Sequence, residues 1–186
     1  MTQIINLFGG PGVGKSTIAA GIFFYLKQHR VSCELVTEYA KTLTWENRQS
    51  TLQCQPYVFG KQLYSLEVLI DQVDVIVTDS PICLSLFYQA FKYPPSFSQS
   101  VIDIFNRFDN HNYYIRREDD QYDDIGRMPN PDTAKDIDIK ILKFLDTNYI
   151  DYKIVPRHFE TTELIAKEII NHERNRRTEK SVDRGY

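Results

Sequence analysis

The sequence predicts an α/β domain of three layers, a five-stranded parallel sheet with helices on both faces. Three observations predict it. Short apolar runs alternate with segments of helical apolar spacing along most of the 186 residues. One run, Val73-Asp-Val-Ile-Val-Thr78, is apolar enough for a central strand covered on both faces. The first run, Gln3–Phe8, leads directly into a glycine-rich turn and then a helical pattern.

The elements follow in order. Gln3-Ile-Ile-Asn-Leu-Phe8 reads as a buried strand, and Ile18, Ile22, Tyr25 and Leu26 mark the helix after it. Glu34-Leu-Val-Thr37 reads as the second strand. Phe59, Leu63, Leu66 and Ile70 share one helical face. The third strand, Val73–Thr78, precedes a short helix through Ile82, Leu86, Phe87 and Ala90, stopped by Pro94-Pro95. Val101, Ile104, Phe105 and Phe108 space as helix, and Asn112-Tyr-Tyr-Ile115 as the fourth strand. Ile137, Ile141, Phe144, Leu145 and Asn148 form a further helical stripe that Asp132 could cap. Tyr152-Lys-Ile-Val155 is the fifth strand, and a last helix runs from Thr161 to Asn171. One domain over residues 1–171 is expected, with a charged, flexible, solvated tail over 172–186 that carries Arg174, Arg176 and Arg177.

Composition narrows the class. A chain of this length can bury a full core, and its 42% hydrophobic and 25% charged residues are ordinary for a globular domain. The net charge of −3 supplies no global basic field for nucleic acid, although it leaves a local basic groove open. Cys33, Cys54 and Cys83 have no metal-like spacing and suit a reducing, cytoplasmic setting as unreactive thiols. The start of the chain reads as a core strand rather than a signal peptide, and no apolar run is long enough to span a membrane. His29, His111, His158 and His172 show neither metal-ligand nor triad spacing and read as structural.

The chemistry begins at Gly9-Gly-Pro-Gly-Val-Gly14-Lys15-Ser16, which matches G-x-x-x-x-G-K-[ST]. Polyphosphates need donors on several sides. Glycines let backbone N–H groups turn inward, and a helix N-terminus adds its positive end. Gly9, Gly10, Gly12, Val13, Gly14, Lys15, Ser16 and Thr17 are therefore the nucleotide-binding candidates, and the architecture becomes a P-loop NTPase fold. ATP and Mg²⁺ are the expected cofactors, with the Ser16 hydroxyl as one metal ligand. Asp79, directly after the third strand, is the second metal candidate, or alternatively an N-cap before Pro81.

Ligands of parallel α/β sheets sit beyond the carboxyl ends of the strands. Glu38 follows the second strand, where a carboxylate would accept the proton of an acceptor hydroxyl or bind a sugar hydroxyl. It could also stand exposed at a helix start. Trp45 and Tyr57 could stack on a planar ring, Gln62 could pair with a base edge, and Arg48 could grip an acceptor phosphate; each has an alternative as packing or surface. Arg116, Arg117 and Arg127 flank an acidic stretch after the fourth strand. They are expected in a lid over about 116–130 that brings cations to a transferring phosphoryl group, rather than in a merely solvated charge run. Phe159 is a further candidate for stacking on adenine.

Gly9–Ser16, Glu38-Tyr39-Ala40-Lys41, Phe59-Gly60-Lys61-Gln62, Asp79 and the Arg116–Arg127 segment, in that order, resemble the small P-loop kinases typified by the nicotinamide riboside kinase domain. Phage-encoded AAA-like ATPases look similar, and Glu-Tyr-Ala-Lys is similar to the Glu-Pro segment of deoxynucleoside kinases, in which the glutamate is the base. The resemblance implies a nucleoside-kinase fold, ATP with Mg²⁺, and phosphorylation of a ribosyl 5′-hydroxyl; the acidic lid departs from it. The leading expectation is a kinase for a small nucleoside-like acceptor. A nucleoside monophosphate kinase, or one acting on a polynucleotide or modified-DNA end, is the first alternative. A P-loop ATPase that switches a protein or nucleic-acid partner is the second. No N-K-x-D motif points to guanine. The oligomeric state stays open.

Overall fold

The computed structural model describes residues 1–89, 91–118 and 131–183, with side chains described except at 131–133 and 177–183. Five strands form one sheet in the order β2-β3-β1-β4-β5, and every neighbouring pair is parallel. They are β1 (Gln3–Phe8), β2 (Cys33–Val36), β3 (Val75–Thr78), β4 (Asp109–Arg116) and β5 (Lys153–Pro156). The helices are α1 (Lys15–Gln28), α2 (Tyr39–Trp45), α3 (Gln49–Gln53), α4 (Gln55–Glu67), α5 (Pro95–Phe105), α6 (Pro131–Thr147) and α7 (Phe159–Asp183). A 3₁₀ turn spans Ile82–Leu86.

The central strand explains the layering. All six residues of β1 are buried, as a strand covered on both faces requires. Ile5 and Leu7 join one apolar cluster with Ile18, Ile22 and Leu26 of α1 and Ile165, Ile169 and Ile170 of α7. Ile4 and Phe8 face the other way, into a cluster with Leu66 of α4, Val101 and Phe105 of α5, and Ile137, Ile141 and Leu145 of α6. Asn6 shares that second face. Its buried amide donates to Asn110 Oδ1 at 2.8 Å and Asn112 Oδ1 at 3.0 Å, which offsets its desolvation. The register aligns Asn6 and Val36 with Thr78 and Phe8 with Tyr114, so the loops after β1, β2, β3 and β4 open at one edge of the sheet.

The predicted fold is the observed one, with local differences. β4 starts at Asp109, before the apolar run, because polar Asp109–His111 still find partners on Gln3–Ile5. The segment after β3 closes as a 3₁₀ turn instead of an α-helix, and Ala90 lies outside the described residues. Pro95 opens α5 as its first residue, where its missing N–H costs nothing. Asp132 lies inside α6, so it does not cap that helix from outside. The last helix continues well past Asn171 to Asp183. Part of the charged end is therefore packed: Glu173 is buried against the Gln3 side chain, and Arg176 donates to the Met1 carbonyl at 2.8 Å.

Cys33 and Cys83 are buried and Cys54 is exposed, all as free thiols. Burial pushes the Cys33 thiol up to about 11 and Cys83 higher still, which keeps both protonated and unreactive near neutrality. Among the described residues, no helix is long and apolar enough to cross a membrane.

Candidate functional site

The P-loop wraps from the end of β1 to the start of α1. Gly9, Gly12 and Gly14 have φ of 141°, 84° and 90°, a region that favours glycine. Gly14 is tight for a second reason: a Cβ there would lie 2.8 Å from Arg157 Nε. Val13 is the loop's anchor, buried among Ile18, Ile115 and their neighbours. Ser16 and Thr17 are exposed on the first turn of α1. Lys15 folds its ammonium over the loop and donates to the Gly9 carbonyl at 2.8 Å and the Gly10 carbonyl at 2.9 Å.

A cavity of about 330 Å³ opens beside this loop. Gly12, Gly14, Lys15 and Ser16 form one end. Glu38, Ala40, Lys41 and Thr44 form a side wall, and Gln49, Leu52, Gln53, Gln55 and Val58 close it from α3 and α4. Ser80, Leu84, Ser85 and Tyr88 complete the floor behind β3. One end thus offers cationic and backbone donors. The other mixes apolar surface with uncharged amides and hydroxyls.

Glu38 lies at the N-cap position of α2, yet its side chain does not cap that helix. Its main chain is held from both sides by Gln62. The Gln62 Oε1 accepts from the Tyr39 N–H at 3.0 Å, and the Nε2 donates to the Thr37 carbonyl at 3.3 Å. Gln62 is buried and does not line the cavity; its amide is engaged with the β2–α2 junction. The glutamines that do face the cavity lie earlier in the chain. Nothing in the spacing of Gln49, Gln53 and Gln55 in the sequence separates a cavity-facing amide from a surface one.

Asp79 is 3% exposed, and its Oδ1 has no hydrogen-bond partner among the described residues. The residue preceding the 3₁₀ turn is Pro81, so Asp79 caps no helix. A buried carboxylate oxygen without a donor is costly unless something else satisfies it. A hydrated Mg²⁺, which takes one or two protein oxygens and keeps its waters, is a cation that such a carboxylate oxygen fits. No group of three or more His, Cys, Asp or Glu side chains among the described residues would make a dedicated metal cage.

The remaining candidates are placed less centrally. Trp45 is 60% exposed and lies off the cavity lining. Arg48 is also off the lining, exposed and 3.2 Å from Glu46. Tyr57 is partly exposed, its hydroxyl 3.1 Å from that of Tyr39. Phe159 is largely exposed at the start of α7. Arg116 ends β4 exposed, whereas Arg117 folds inward: it donates to Asp138 Oδ2 and to the Pro11 carbonyl at 2.6 and 2.7 Å. Arg127 and the acidic stretch from Asp119 to Asp124 lie outside the described residues.

The sheet order, the glycine-rich loop between β1 and α1, and the carboxylate after β3 define a P-loop NTPase fold. The chain belongs to the AAA domain family, whose model matches residues 4–161. Two solved structures of deoxyadenosine kinase from M. mycoides are similar in fold. One, with dATP bound, superposes with a TM-score of 0.55 at 20% identity, covering 89% of this chain and 98% of that one. The other, with the products dCMP and a flexible dCDP, gives 0.53 at 18% identity, covering 92% and 99%. No curated protein sequence matches the chain.

Proposed function

We propose that this protein is an ATP- and Mg²⁺-dependent kinase that transfers the γ-phosphate to a hydroxyl of a small nucleoside-like acceptor. One observation carries the reading: Glu38 lines the same cavity as Lys15 and Ser16, and beyond the wall of Glu38 and Lys41 the lining from α3 and α4 is uncharged. The P-loop amides and Lys15 would hold the phosphates. Ser16 and Asp79 would hold Mg²⁺, which supplies charge neutralisation at the phosphates. Glu38 would take the proton of the acceptor hydroxyl as its oxygen bonds to the γ-phosphorus. The bond to the bridging β–γ oxygen breaks, and ADP leaves. Leu52, Val58, Leu84 and Tyr88 would receive a planar base or pyridine ring, and Gln49, Gln53 and Gln55 would offer carboxamides to its edge. Deoxyadenosine kinase as a fold neighbour and the likeness to nicotinamide riboside kinases support a nucleoside-type acceptor.

A monophosphate acceptor would need a cation for its phosphate; Arg48 does not line the cavity, whereas Lys41 does. Arg48→Ala is therefore expected to leave acceptor binding nearly unchanged. The test is a panel of nucleosides, nucleotides and nicotinamide riboside incubated with Mg-ATP, following ADP. Glu38→Gln should lower kcat about a hundredfold or more while ATP affinity is kept. Equal turnover would remove the base role. ADP release at full rate with no acceptor present would favour an ATPase switch instead.

A further inference from the structure

The P-loop has a carboxylate against it. Asp138, on α6 and buried, accepts from the Gly10 N–H at 2.6 Å through Oδ1. Its Oδ2 accepts from Arg117 Nε at 2.6 Å, and the same guanidinium donates to the Pro11 carbonyl at 2.7 Å. Tyr114 lies beside Asp138; burial first, and the Asp138 charge second, hold its phenol protonated. The fit leaves no room for a larger residue. A Cβ on Gly10 would lie 2.6 Å from Asp138 Oδ1 and 2.9 Å from the Ala134 carbonyl.

A negative charge beside a loop that grips polyphosphate would repel its own ligand. The side chains of Arg117 and Asp138 are only 15% and 11% exposed, so water screens that charge poorly and the guanidinium must do so. We propose that Arg117 and Asp138 are positioning residues that form a charge-neutral brace. Asp138 fixes the first half of the P-loop through Gly10. Arg117 silences the carboxylate and holds Pro11, and it does not reach the moving phosphoryl group. The inference rests on the loop's binding of Mg-ATP and is independent of the acceptor.

The brace predicts an unusual pattern in paired variants. Arg117→Gln keeps a donor for Pro11 but exposes the nucleotide to the bare carboxylate, so Mg-ATP binding should weaken roughly tenfold, the size of one charged hydrogen bond. Asp138→Asn alone should cost less. Adding Asp138→Asn to Arg117→Gln should restore part of the lost affinity, and Arg117→Lys should restore most of it. The Arg117→Gln defect should also shrink as potassium chloride is raised. Calorimetric titration of each variant with Mg-ATP measures this, with thermal melting without nucleotide as the folding control. Two results would overturn the inference. One is a double variant that binds no better than Arg117→Gln. The other is an Arg117→Gln enzyme with unchanged affinity and a collapsed kcat, which would make Arg117 a catalytic group. If the wild-type chain binds no Mg-ATP, the functional reading fails, and the brace fails with it.

Discussion

Glu38 owes its place to a glutamine that never touches the cavity. Gln62 bonds the main chain on either side of it, so the β2–α2 junction is fixed by one buried carboxamide. Gln62→Leu should lower kcat roughly tenfold, the effect of losing two backbone partners, while the affinity for Mg-ATP stays as in the wild type. Gln62→Glu keeps the acceptor for the Tyr39 N–H and loses the donor to Thr37, so its kcat should fall between the two. Steady-state kinetics alongside nucleotide binding would separate these effects. Equal activity in Gln62→Leu would show that the junction holds its shape alone. His111 is a residue-scale feature with a pH signature. Burial lowers its pKa, helped by His172 and opposed by Asp109 and Glu168. The unfolded chain therefore takes up this proton at a higher pH than the folded one. The contribution is whole above the unfolded value of about 6.5 and is lost as pH falls through the lower folded value. Denaturant unfolding at pH 5.5 and 7.5 should show a smaller pH dependence for His111→Phe than for the wild type.

At the scale of elements, α1 carries both the loop's positive end and one side of the core. It packs against α7, and the approach is close where Gly21 meets Thr162: a Cβ on Gly21 would lie 2.6 Å from Thr162 Cγ2. Alanine at position 21 gains up to about 1 kcal/mol in helix propensity. The overpacking against α7 costs about 1–3 kcal/mol, so Gly21→Ala is expected to destabilise on balance. Thr162→Ala removes the atoms in the way, and adding it to Gly21→Ala should recover most of the loss in a urea titration. Additive losses from the two substitutions would show that this contact does not set the spacing. The far end of α7 shows how a charged segment becomes structural. Glu173 and Arg176 read as solvent-facing in sequence, but α7 lies along the sheet and brings them to Gln3 and the Met1 carbonyl.

For the molecule as a whole, the loops after β1, β2, β3 and β4 bring the P-loop, Glu38, Asp79 and Arg117 to one sheet edge. Binding there stabilises the folded state by mass action. Mg-ATP at a hundred times its dissociation constant should add about 2.7 kcal/mol, or about 5–10 °C in Tm for a chain of this size. Lys15→Ala should abolish the shift in a thermal melt, and a shift of equal size in that variant would place the nucleotide elsewhere.

The P-loop was readable directly because it is local: consecutive residues and their backbone amides suffice to build an anion cradle, and the strand and helix flanking it follow from apolar spacing. The positions of Glu38 and Asp79 at strand ends were readable for the same reason, since parallel strands carry their loops to one edge. Other features depended on contacts between distant segments. Gln62 turns to the backbone because α4 packs beneath the β2–α2 junction. Arg117 turns inward because α6 brings Asp138 to Gly10, across 128 residues of sequence. No spacing rule reports which buried donor will meet which acceptor. That choice belongs to packing, where an unpaired polar group costs more than any local preference can supply.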